Sequence, residues 1–101
     1  MYLWARLTDN SKRRIITIMD ELFQRLDLAE KHIATVKHKV ARRDLLKMVK
    51  AVDRSIVAAD MESVECRRMH KETSKYRELV KQTDGLLTNL EQHIIFASLL
   101  G

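Results

Sequence analysis

At 101 residues the chain is long enough for one domain with a modest core, or for one piece of a larger assembly. Hydrophobic residues at 46% and charged residues at 33% exclude a disordered chain, and the single cysteine, Cys66, excludes an internal disulfide framework. No apolar run approaches the roughly 18 residues of a membrane span, and a formal charge of +5 admits nucleic acid or anionic lipid without demanding either.

Abundant Leu, Ile, Lys, Arg and Glu, with no Pro and two Gly, are the composition of long helices. The expected fold is a single all-α domain over residues 1–101, a long-helix hairpin or small helical bundle with coiled-coil-like heptad seams. The opening "MYLWARLTDN" lacks a signal peptide's basic start, long apolar run and small-residue cleavage site. An intracellular protein, cytoplasmic or nuclear, is therefore expected.

In chain order, Met1 to Leu7 reads as a short apolar segment, with Tyr2, Leu3, Trp4 and Leu7 forming a sticky patch. "TDNS" (Thr8 to Ser11) supplies four residues that favour N-caps, so a first helix is expected over about 12–40. Along it Ile15, Met19, Leu22, Leu26, Ala29, Ile33, Val36 and Val40 alternate steps of four and three, the spacing of a coiled-coil seam. The rhythm then fails at Arg43, Asp44 and Lys47. Either a turn at Ala41 to Asp44 or a stutter within one continuous helix produces such a slip. A turn is favoured, because folding back lets the first seam bury itself on the second.

A second helix is expected over about 44–82, its seam running Leu45, Val49, Val52, Ile56, Ala59, Ser63 and Cys66. The pattern weakens near Cys66 to Met69, which reads as a local adjustment rather than a turn. A third series follows: Met69, Thr73, Tyr76, Val80, Thr83, Leu87, Leu90, Ile94 and Ala97. Within it "TDG" (Thr83 to Gly85) is the clearest stop signal, with Gly85 suited to the left-handed position after a helix. A third helix over about 86–99 should dock into the bundle, another subunit or a membrane surface, since Ile94 to Leu100 is apolar on nearly every face.

The segment Lys37 to Arg54 holds seven Lys or Arg against two Asp, a balance of +5 that equals the charge of the whole chain. On a helix at about 100° per residue, Lys39, Arg43, Lys47, Lys50 and Arg54 fall within an arc of about 80°, opposite the second seam. Three of their pairs repel at i, i+4, and Asp44 and Asp53 are placed to relieve Lys47 and Lys50 only from the edges. Such a stripe suits sequence-independent contact with the backbone of duplex RNA or DNA. It carries no Asn, Gln or aromatic residue to read or stack on bases. A solvated face, or one meeting an acidic subunit, is the alternative.

Catalytic patterns are scarce. Cys66 and His70 stand at i, i+4, but two ligands make no metal site, and an inert buried Cys beside a surface His is the expectation. Gly85 as the only internal glycine leaves no phosphate loop and no nucleophile elbow. No catalytic residue, metal or cofactor is expected.

The functional expectation is a non-enzymatic helical interaction or assembly protein, a subunit of an oligomer or larger complex. It would meet a protein partner, or itself, through Leu22, Leu26, Ile33, Val36, Val49, Val52 and Ile56. The rival is a dimeric helical protein that lays Lys39, Arg43, Lys47, Lys50 and Arg54 on duplex nucleic acid.

Overall fold

The computed structural model describes the backbone of residues 2–100 and the side chains of residues 12–100. Three helices follow one another: α1 (Tyr2–Ala34), α2 (Lys39–Met69) and α3 (Ser74–Leu99). Each packs on the other two, forming a rod of 59 × 17 × 15 Å. Four-residue connections reverse the chain at 35–38 and 70–73, so α1 and α3 run parallel to each other and antiparallel to α2. The cross-links agree: Arg14 reaches Glu72, and Arg25 reaches Asp84 and Glu91.

The core is the set of residues that the four-three spacing selects. Ile15, Met19, Leu22, Leu26, Ala29, Ile33 and Val36 are buried from the first series. All seven members of the second, Leu45 to Cys66, are buried as well. From the third, Tyr76, Thr83, Leu87, Leu90, Ile94 and Ala97 are inside, while Val80 is half-buried and Met69 is exposed. Each large apolar side chain so placed contributes roughly 1.5–3 kcal/mol, which makes the seam the main source of stability.

The helix limits differ from the sequence expectation in four places. The first connection lies at 35–38, not at Ala41 to Asp44. Here the last turn of α1 tightens, with Thr35 and Val36 donating N–H to the carbonyls of His32 and Ile33 at 3.0 Å each. Thr35 Oγ1 also donates to His32 O at 2.6 Å. Val36 remains buried inside the connection, so the apolar rhythm passes through the break and conceals it. His38 then caps α2, its Nδ1 accepting the Ala41 N–H at 3.2 Å. With α2 starting at Lys39, Val40 turns outward, and the half-buried Ala41 leads into Leu45 and Val49. A small alanine at the head of the seam is what made the phase appear lost.

The second connection is a full turn rather than a local adjustment. His70 takes a left-handed conformation (φ 55°, ψ 37°), and the N–H of Lys71 returns to Cys66 O at 3.0 Å. His70 N–H reaches Arg67 O at 3.4 Å, which completes a Schellman closure with His where Gly is usual. Thr73 starts α3 by accepting the Tyr76 N–H on Oγ1 at 3.1 Å.

The predicted stop at Gly85 does not occur, and α3 runs through it. Thr83, its expected last turn, is instead fixed in the core: it donates from Oγ1 to Leu79 O at 2.7 Å and shares a 2.6 Å hydrogen bond with Ser55 Oγ. Nor does a helix begin at "TDNS", since α1 extends back to Tyr2 and those residues lie within it. The apolar patch of Tyr2, Leu3, Trp4 and Leu7 concerns side chains outside the described residues.

Candidate functional site

The seven side chains expected at a protein interface, Leu22, Leu26, Ile33, Val36, Val49, Val52 and Ile56, all pack inside the chain in one hydrophobic cluster. In this fold they are not presented on the surface.

The most distinctive outer face belongs to α2. Because the helix is unbroken from Lys39 to Met69, the five cations of the stripe share one continuous ridge, about 22 Å long from Lys39 to Arg54. All five are exposed. None is in an ion pair or a side-chain hydrogen bond among the described residues, and Asp44 and Asp53 do not relieve them. Elsewhere six cations find partners, while Lys12, Arg13, Lys37, Arg42, Arg67, Lys71 and Lys81 have no ion pair among the described residues but do not line up as a stripe. Lys31 pairs with Asp27 at 3.0 Å, Arg14 with Glu72 at 2.9 Å, Lys75 with Glu62 at 3.9 Å, and Arg68 with Glu65.

Arg25 shows the contrast most clearly. The sequence places Glu21 one turn before it, yet its guanidinium crosses to α3. There it donates to Glu91 at 2.7 and 3.3 Å, to Asp84 at 2.5 Å and to Thr88 Oγ1 at 3.3 Å. The Glu91 hydrogen bonds raise its pKa further above the ordinary arginine value, against the opposing effect of partial burial. On the exposed surface, Glu65 is held below the usual carboxylate range by its hydrogen bonds from Arg68.

The ridge does not stand alone. Val57, Met61 and Val64 continue it at i, i+4, i+7 and are 46%, 70% and 52% exposed. With Val40 and Leu46, also exposed, they span an arc of about 120° that contains the cationic arc. Glu65 is the one acid of α2 in that arc, and it is paired with Arg68. Two shoulders flank this face. Phe23 of α1 lines a groove with Asp60 and Arg67 of α2, and Phe96 of α3, with Leu100 just past its end, lines another with Ala41, Asp44 and Met48. Sequence reasoning found the cations and missed their apolar companions. The signal was present in the spacing of Val57, Met61 and Val64, hidden by the stronger seam on the opposite side.

Cys66 is buried and accepts the Thr73 N–H on Sγ at 3.5 Å, while His70 is exposed at the end of α2. Among the described residues, no three of His, Cys, Asp and Glu come together as a metal site, and no helix is long and apolar enough to cross a membrane. No protein-family model, curated protein or solved structure matches the chain.

Proposed function

We propose that this chain is a non-enzymatic helical interaction protein whose working surface is the outer face of α2, and that the partner it meets there is polyanionic. The observation that carries the reading is the clustering of Lys39, Arg43, Lys47, Lys50 and Arg54, exposed and unpaired among the described residues, along one side of a helix whose opposite side is the core. Repulsion between neighbours one turn apart opposes helix formation by a few tenths of a kcal/mol per pair. An external row of negative charges removes that opposition and releases its own counterions. Duplex RNA or DNA contacted through its backbone, without sequence preference, is one such row. Retention on heparin and binding to random-sequence duplex, each measured across a salt series, test the reading. Wild type should bind at low salt, with an affinity that falls steeply as salt rises. Replacing Lys39, Arg43, Lys47 and Lys50 with Ala should abolish binding while helicity is kept. Equal binding by that variant, or no retention of wild type at low salt, sinks it.

Assembly through the seams is a second reading, favoured by their sustained heptad spacing and by the shortness of the 35–38 connection. With the seam filled inside one chain, assembly by that route exchanges α1 between copies across an opened connection. Mass in solution across a dilution series tests it: a dimer that dissociates slowly is expected, and a monomer at every concentration counts against it.

A further inference from the structure

We infer that the polyanion this face meets is an anionic phospholipid surface, on which the rod lies with α2 downward. The inference rests on the polyanion reading of α2 and goes beyond it by naming the partner. The mixture of side chains on this face, rather than its charge, carries it.

A nucleic-acid backbone is satisfied by cations alone. Val57, Met61 and Val64, exposed in register with the ridge, would strip water from phosphates while offering them no hydrogen bond. A bilayer surface takes both kinds of group at once. Lys and Arg lay their methylene stems along apolar surface and hold their charges at the headgroup phosphates, while aliphatic side chains enter the acyl boundary. The α2 arc has this composition over about 38 Å, from Lys39 to Val64. Cations occupy its first half and apolar groups its second, with Val40 and Leu46 set among the cations.

The shoulders extend it. The chain contains two phenylalanines, Phe23 and Phe96. Each is exposed beside a groove that borders α2, one from α1 and one from α3. Leu100 joins Phe96 on the α3 side. Exposed apolar groups on both flanks of the cationic ridge complete the mixed composition of an interfacial helix face. A rod lying flat brings the whole cationic ridge within a Debye length, about 8–10 Å, of the headgroups, which an end-on approach through the α3 terminus would not do.

Cosedimentation of the full chain with phosphatidylcholine vesicles, with and without phosphatidylserine, tests the inference. Wild type should bind the mixed vesicles and leave the neutral ones in solution. Each ridge cation changed to Ala should lower the partition coefficient about fivefold. The triple variant Val57→Ser, Met61→Ser, Val64→Ser alters only exposed positions, and circular dichroism should show its helicity unchanged. It should lose vesicle binding by on the order of a hundredfold, yet keep its retention on heparin. Heparin and duplex binding without vesicle binding would leave the polyanion reading standing and overturn this inference. So would vesicle binding indifferent to the serine variant, which would reduce the contact to charge alone. Failure to bind heparin, duplex and vesicles alike would overturn both.

Discussion

Tyr76 is the largest side chain of the fully buried set, and its hydroxyl has no hydrogen-bond partner among the described residues. Its phenol is pushed up to about 12 from an ordinary 10.0, by burial first and then by Glu72 and Cys66. The unfolded chain therefore loses this proton at lower pH than the folded one. The contribution of this phenol to stability is constant below pH 10 and is lost as pH rises from about 10 to about 12, an amount on the order of 2 kcal/mol. Tyr76→Phe should remove that component of the alkaline loss. At neutral pH it should raise stability by about 1 kcal/mol, because it deletes a buried polar atom that makes no bond. Urea titrations of both proteins at pH 7 and pH 11 check this, and a destabilised Phe variant at pH 7 would show that the hydroxyl is satisfied. The spacing in the sequence placed Tyr76 on the seam. Nothing in a linear pattern says where the phenol's far end lies, since that depends on which side chains of α1 and α2 surround it.

At the level of helices, the sequence located what is buried far better than where helices end. Periodicity records the side of a helix that faces its neighbours, and it survives wherever burial continues. Val36 keeps it alive inside a turn, and the small Ala41 weakens it inside a helix. Stop signals misled for a related reason. Gly85 is permissive but not obliged to turn, and the Thr83–Ser55 hydrogen bond on its N-terminal side belongs to a continuing helix. His70 turns without being Gly, its backbone closed by the carbonyls of Cys66 and Arg67. Two substitutions separate these roles in thermal melts. His70→Gly should stabilise by about 0.5–1 kcal/mol, because it removes the left-handed strain of a residue with a Cβ. Gly85→Ala should also stabilise, by about 0.5–1 kcal/mol, since a Cβ there meets nothing within 4 Å and the backbone is helical. A loss at Gly85→Ala would mean that the chain turns there after all. The cationic ridge was legible for the reason that the turns were not: charge on one face is a property of spacing alone.

For the molecule as a whole, the proposed polyanion contact would set binding against stability along the ridge. Lys47→Glu exchanges repulsion from Arg43 and Lys50 for attraction to both, partly offset by new repulsion from Asp44 three residues before, and should raise stability by about 0.3 kcal/mol at low salt. The same change should weaken binding to any polyanion more than Lys47→Ala does. Melting curves at low and high salt, paired with heparin elution, check this. A Glu variant that is less stable at low salt would show that the ridge is relieved by some contact within the fold.

Arg25 bears on a different problem of the whole rod. An apolar seam repeats every seven residues, so one helix sliding along another by a heptad meets nearly the same landscape again. The parallel helices α1 and α3 have no connection of their own to forbid such a slide. Arg25 grips Asp84 and Glu91, two acids one heptad apart on α3, and it bridges that interval only when the helices are in step. A slide in either direction would strand one of the two carboxylates. Partly exposed ion pairs of this kind add little to the depth of the native well. Their effect is to make that well single, as a detent fixes one position on a track that would otherwise have several.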